Sequence, residues 1–427
     1  DDNKIFQNTR GFEIRGAIDN KVYFYTSLFE NQQRFNDYIE DRIEKFQAIP
    51  GQGLYKSYSS TIIGNLEGWD YLNAQGYIGF NISKSVGLEF GHGKHKIGNG
   101  YQSMLLSDYG HNYFYLKFNT KIWKFHYQNI FAELSALGGR DTPGNTLIPK
   151  KYMAAHYLDF NFTPNFSLGL FEAVIFNRTN HFEFQYLNPI IIYRTVELFL
   201  DSPDNVLIGF NAKWNVAHKF QFYGQVIFDE FKLDELTEGN GWWANKYGIQ
   251  LGAKYMNVLN IDHLDAQLEY NISRPYLYAH RDSIEGGPNQ SIGSYSHYNQ
   301  PLAHPLGSNF KEFIFTLRYQ PLPKLILDGR FIKTRFGDDG IDENWGGNIL
   351  LPLETREMDY GNSIGQGVET DISLFGLDIS YELMHNYYLD FHLLLRKQNS
   401  ALEDRDRHTK YFGGGIRINM ASQRLDY

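Results

Sequence analysis

Cysteine is absent from the 427 residues, which excludes disulfides and thiolate metal sites. Long apolar runs are missing too. A membrane helix needs about 20 consecutive apolar residues, and the longest candidate stretch, Pro189–Leu200, is interrupted by Arg194 and Glu197. Positive charge is in deficit, with 40 Lys and Arg against 49 Asp and Glu. A nucleic-acid partner calls for a basic face, so the net charge of −9 argues against one. Signatures of catalysis are lacking as well: the chain holds no G-x-S-x-G elbow and no H-E-x-x-H, and no enzyme is predicted. The opening Asp1-Asp2-Asn3-Lys4 carries no charged-then-apolar leader, so a secretory signal is expected to have been removed already.

What is present is alternation. In Leu264–Ser273, the apolar Leu264, Ala266, Leu268, Tyr270 and Ile272 interleave with Asp265, Gln267, Glu269, Asn271 and Ser273. In 219–229, Phe220, Phe222, Val226 and Phe228 interleave with Lys219, Gln221, Tyr223, Gln225 and Asp229. Successive side chains of a strand point to opposite faces, so each segment builds one apolar and one polar wall. Segments of about ten residues recurring along a whole chain predict a transmembrane antiparallel β-barrel. Aromatics at 16%, mainly 31 Tyr and 33 Phe, fit the girdles of such a barrel. The negative mean hydropathy is no objection, because half of every barrel strand faces water.

Strand-like segments run from Phe12–Ile18 to Tyr411–Met420, joined alternately by short turns such as Asp19-Asn20 and Ala217-His218 and by long loops such as 98–112, 135–150, 177–205 and 274–309. Short periplasmic turns and long extracellular loops are the expected asymmetry of an outer-membrane barrel. Seventeen segments are legible; parity demands one more rising strand, for which Lys4–Thr9 is the available sequence. The prediction is a single domain over 1–427 with eighteen strands, sixteen being the alternative. A short helix is predicted near 36–47, where Tyr38, Ile39, Arg42, Ile43 and Phe46 follow helical spacing, either capping the mouth or folding inward as a plug.

Several residues could carry chemistry. His92, His95 and His111 cluster near one loop, and His280, His297 and His304 near another. Residues three apart on a strand face opposite walls, so His92 and His95 cannot share a metal without a bend, and no metal or other cofactor is predicted. Gly337–Asn344 is acidic but lacks the spacing of the twelve-residue calcium loop. Ser103 lies near His92 and His111 in sequence, with nothing to fix a catalytic geometry. The long loops are loaded with aromatics and amides, among them Trp242, Trp243, Tyr298, Asn299 and Gln300. Sugar rings stack on aromatics while hydroxyls pair with amides, whereas an interfacial belt of Trp and Tyr accounts for the same composition. Glu172 breaks the alternation, sharing an apolar face with Leu168, Leu170 and Val174. Either a bulge re-aims it inward, or this wall contacts another protein.

Motifs spanning roughly 70–320 resemble a known family. They include Phe90-Gly91-His92-Gly93-Lys94, Gly98-Asn99-Gly100-Tyr101-Gln102-Ser103, Tyr186-Leu187-Asn188-Pro189, Gly241-Trp242-Trp243-Ala244-Asn245-Lys246 and Tyr298-Asn299-Gln300-Pro301-Leu302-Ala303-His304. The chain is similar in these to the Wzi-like capsule-assembly barrels, and more closely to their Bacteroidota relatives of the RemB gliding-motility type. The resemblance implies an eighteen-stranded barrel, and either a surface lectin holding capsular polysaccharide or a component of cell-surface organisation. On this reading Trp242, Trp243, Tyr298, Asn299, Gln300 and His304 form the glycan- or partner-binding loops, and Glu172 contacts a partner. The environment is outer-membrane lipid and lipopolysaccharide, with surface polysaccharide and other outer-membrane proteins or lipoproteins as partners. An accessory barrel within a multi-protein machine for secretion, gliding or membrane-protein assembly is the second expectation. A diffusion porin is the third, disfavoured because long loops and interior tyrosines predict an occluded lumen.

Overall fold

The computed structural model describes residues 4–60, 66–136, 148–178, 183–202, 204–281, 291–421 and 426. The strands are β1 Phe6–Ile18, β2 Val22–Arg34, β3 Lys56–Ser60, β4 Leu66–Asn81, β5 Val86–Gly93, β6 Tyr113–Ile122 and β7 Phe125–Ser135. They continue with β8 Lys150–Thr163, β9 Phe166–Phe176, β10 Asn205–Val216, β11 Phe220–Phe228, β12 Tyr247–Tyr255 and β13 Leu264–Ser273. After a two-residue pair, β14 Ser296–His297 and β15 Gln300–Pro301, come β16 Phe310–Leu322, β17 Leu325–Asp338, β18 Val368–Met384, β19 Tyr387–Ser400 and β20 Arg407–Ile418. Three helices lie between them: α1 Asp37–Phe46, α2 Tyr193–Leu200 and α3 Leu233–Glu238.

All of these strands except β14 and β15 form one antiparallel sheet of 18 strands, the fold of an outer-membrane barrel. Each long strand pairs with its sequence neighbour through a short turn or a long loop. Every segment expected from alternation is a strand. The eighteenth is not Lys4–Thr9, whose residues from Phe6 onward begin β1, but β3, which pairs with the long-loop end of β4. Lys4–Thr9 offers no turn residues before Phe12, so the chain extends as one thirteen-residue strand. Among the described residues β1 pairs only with β2, and β20 only with β19. The middle of the predicted 135–150 loop lies outside the described residues.

The polar wall faces a lumen that the chain itself fills. Inward residues of β7 to β11, including Ile130, Met153, Phe171, Leu207 and Ile227, form one core with Met104, Leu105, Tyr278 and Tyr295 from two inserted loops. A second core joins Ile39 and Ile43 of α1 to the inward Ile314, Ile332, Leu374 and Leu394 of β16 to β19. The predicted helix therefore folds inward, its apolar face seated on the barrel wall. Several inward tyrosines lie flat over inward glycines: a Cβ at Gly79, Gly169 or Gly252 would meet the ring of Tyr23, Tyr157 or Tyr223 at 2.0–2.6 Å.

Candidate functional site

The alternating strands bring Gln225, Gln250, Glu269, Asn271 and Glu312 to the lumen side, where all five are buried. They grip the loop that carries the glycine motif. Glu269 accepts from the backbone N–H groups of Tyr101 (2.6 Å) and Gln102 (3.0 Å) and from the Tyr223 hydroxyl (2.7 Å). Gln225 donates to the Ile97 carbonyl at 2.9 Å and accepts from the Met104 N–H at 2.8 Å. The approach is so close that a Cβ on Gly100 would lie 2.6 Å from Gln250 and Glu269 oxygens, so glycine is required there for space. Ser103 donates to the Ile97 carbonyl at 2.6 Å, which accounts for its hydroxyl as a loop clasp.

The second motif loop clasps the first. Tyr278 and Tyr295 donate to the carbonyls of Met104 (2.6 Å) and Leu105 (2.9 Å), and Ser107 N–H donates to the Leu302 carbonyl at 2.8 Å. Residues expected to bind glycan serve here as internal joints. Asn299 Nδ2 donates to the Phe46 carbonyl at 3.0 Å; Gln300 donates to the Gln52 carbonyl and accepts from Gly51 N–H. Asn299 thus holds the C-terminal end of α1, and Gln300 holds the turn that follows it. His304 Nε2 lies 2.8 Å from Glu312 Oε2, fully buried against the wall. Tyr298 is half-buried, its ring edge-on to His111 and His297. Trp243 is buried beneath the Arg356 guanidinium, 4.3 Å from its ring, while Trp242 borders a separate depression near Arg194 and His280. The structure thus does not gather these six residues into one open surface. Composition singled them out because buried polar joints use the same aromatics and amides as ligand sites.

Glu172 points outward in unbroken register with His156 and Ile208, so no bulge re-aims it. It is covered by the chain's own α2: Glu172 Oε1 accepts from Arg194 N–H at 3.1 Å, and the Tyr193 ring lies 4.0 Å from that of His156. Tyr127 and Asn129 complete this polar patch by donating to the Pro189 carbonyl. The opposite side of this covering segment exposes Phe184, Ile190, Ile192, Leu198 and Phe199.

A cleft of about 840 Å3 opens at the long-loop end, within the ~300–1,000 Å3 of small-molecule sites. One face of α1 lines it, with Tyr38, Asp41, Arg42, Lys45 and Phe46 at helical spacing. Opposite stand the acidic loop Asp338–Asn344 and the upper ends of β19 and β20. Most charges are paired across the cleft: Lys45 with Asp338 at 2.5 Å, Arg405 with Asp338 at 2.9 Å, and Arg407 with Asp41 at 2.7 Å. Asp339 accepts from the N–H groups of Trp345 and Asn348. Among the described residues no cluster of His, Asp and Glu has metal-holding geometry. The amphipathic spacing of α1 was visible in the sequence; its polar face as a site wall was not, because no local signal says what the helix leans against.

His111 and His297 sit 5.9 Å apart within the inserted loops, and burial pushes both down to about 3. His297 Nδ1 accepts from Ser135 N–H and its Nε2 lies 3.1 Å from the Asn112 carbonyl, an arrangement of the neutral ring. A folded-state pKa below the unfolded ~6.5 means that this stability is fully present above about pH 6.5 and is lost as pH falls toward 3. The protection of amides in 291–309, taken relative to the intrinsic exchange rate at each pH, is therefore expected to fall markedly between pH 7 and about pH 4.5. Unchanged protection there would contradict the account.

No family model matches the chain, and no curated protein matches its sequence. Solved structures do match. Wzi of Escherichia coli, an outer membrane protein involved in group 1 capsule assembly and a carbohydrate-binding β-barrel, aligns with a TM-score of 0.55 at 12% identity, covering 97% of this chain and 84% of that one. OprD of Pseudomonas aeruginosa aligns at 0.44 with 13% identity over 98% and 94%. OccAB2 of Acinetobacter baumannii aligns at 0.45 with 10% identity over 96% and 90%. At such identities the likeness to Wzi establishes the fold: this chain is an outer-membrane β-barrel.

Proposed function

We propose that this barrel binds surface polysaccharide at its long-loop end and catalyses no reaction. The observation that carries the reading is a lumen closed by the chain's own loops beneath a cleft of sugar-sized dimensions, walled by Tyr38, Phe46 and a set of charged donors and acceptors. Aromatic faces with convergent polar groups are what sugar rings and their hydroxyls require. The long-loop end is the extracellular side in barrels of this build, which puts the cleft where surface polysaccharide lies. That Wzi is a carbohydrate-binding barrel of like fold agrees with it. The test is a glycan array probed with the detergent-purified barrel, read beside planar-bilayer recordings. Saturable binding to a glycan class from a silent barrel is expected; a conducting barrel that binds none would replace this reading with the porin.

A second reading, an accessory subunit of a multi-protein outer-membrane machine in secretion, gliding or protein assembly, draws on the exposed apolar ridge around α2. Ridge residues such as Leu198 and Phe199 suit either lipid or a neighbouring protein. The resemblance to gliding proteins is one of sequence motifs alone, and no family model or curated protein supports it. Purification in mild detergent separates the readings: a solitary barrel would remove this one, and a stoichiometric companion lost on Leu198→Asn with Phe199→Asn would support it.

A further inference from the structure

Resting on the polysaccharide reading, we infer that the cleft selects an acidic glycan, and that Arg396 receives the carboxylate of a hexuronic acid residue within it. Arg396 lies on β19 near its long-loop end and points inward, lining the cleft. Its register partners on the adjacent strands are Leu374 and Thr409, neither of which is an anion. The side chain is 94% buried, being only 6% exposed. Its Nη2 donates to Gln398 Oε1 at 2.9 Å, and among the described residues neither Nε nor Nη1 has a partner. A buried guanidinium with unpaired donors is costly unless an anion completes it.

The remaining geometry favours a sugar acid over a bare ion. The guanidinium stacks on the ring of Tyr38 at 4.3 Å, so an aromatic face stands beside the cation. The unpaired Nε and Nη1 open on different edges of the guanidinium, and an N–H of either can donate a charge-assisted hydrogen bond to a carboxylate oxygen. The other cleft cations are engaged: Lys45 and Arg405 with Asp338, Arg407 with Asp41, and Arg42 with the Pro305 carbonyl at 2.5 Å. The cleft's acids are partly engaged in return, Asp338 and Asp41 by these cations and Asp339 by backbone N–H groups. Asp342 and Glu343 lie on the opposite loop, where they suit sugar hydroxyls. Arg396 is thus the cation left with open hydrogen-bonding capacity, beside a ring.

The experiment titrates the full barrel in detergent with trigalacturonic acid, with its methyl ester, and with maltotriose. The free acid is expected to bind at least ~10-fold tighter than the ester, and Arg396→Gln to erase that difference, so that acid and ester bind alike. Equal affinity for acid and ester in the unaltered protein would overturn the acidic preference and leave the polysaccharide reading standing. A preference that survives in Arg396→Gln would overturn the role of Arg396. If none of these three ligands binds and the glycan array is also blank, both readings fall together. The acid-to-ester comparison needs no variant, so it decides the matter even if Arg396→Gln does not fold.

Discussion

Glu269→Ala is expected to convert a silent barrel into a conducting one. The carboxylate accepts from Tyr101 N–H, Gln102 N–H, Tyr223 Oη, Gln250 Nε2 and Asn271 Nδ2, the first and third at 2.6 and 2.7 Å. Hydrogen bonds to a charged group contribute about 1.5–3 kcal/mol each, and a buried donor left unmatched costs a similar amount. Losing the set withdraws several kcal/mol, on that scale, from the joint that holds the 97–106 loop in the lumen. The strand ladders of β13 with β12 and β16 do not depend on this side chain, so the wall survives while its filling loosens. Planar-bilayer recording and limited proteolysis at 94–112 are the measurements. A variant as silent and as protease-resistant as the unaltered chain would show that the loop is held elsewhere. Glu269→Gln keeps an acceptor and is expected to fall between the two.

Trp243→Ala is the other large effect, and it concerns stability. The ring is buried in the main core with Arg356 stacked on it at 4.3 Å. Its backbone N–H donates to the Asp359 carbonyl at 2.9 Å, and Gly241 and Asn362 exchange backbone contacts alongside. Truncating a buried aromatic to alanine costs about 3–5 kcal/mol, and the cation–π contact to the partly exposed Arg356 adds about 0.5–1 kcal/mol. Thermal unfolding in detergent is expected to show a drop of that order for Trp243→Ala and a much smaller one for Trp242→Ala, whose ring borders solvent near Lys232. Equal small losses for both would mean that Trp243 is not the wedge between these loops. The pair side by side in sequence therefore cannot be treated as one binding feature.

Alternation made the wall legible because the outward face must be apolar over the whole membrane depth, while the inward face need not be. Leu264–Ser273 illustrates it: each residue faces the side its polarity predicts, and the five inward ones include Glu269 and Asn271 of the lumen network. Where a strand ends beyond the membrane that rule lapses. Parity puts the extra rising strand at Lys4–Thr9, whereas Lys56–Ser60, held by pairing with β4, carries no membrane pattern to reveal it. Glu172 was legible as an exception but not as a contact with α2, since period-two patterning says nothing about a loop folding back outside the wall. His304, Asn299 and Gln300 look like surface ligands in the sequence because loops are ordinarily exposed. In this barrel the loops turn inward and become the core. Arg396 could have been found from sequence by asking which inward cations lack an acid across the ladder, given a correct register.

The tyrosines lying over glycines bear on how the wall sets the space inside it. Tyr23 reaches Glu89 at 3.2 Å and Tyr223 reaches Glu269 at 2.7 Å only because each ring can recline across a neighbour without a Cβ. Adding one methyl group at Gly79 or Gly252 would tip the ring upright, toward the barrel axis. The bore available to the inserted loops is therefore tuned from the bare positions of the wall, and a glycine far from any loop acts as a spacer for the whole interior.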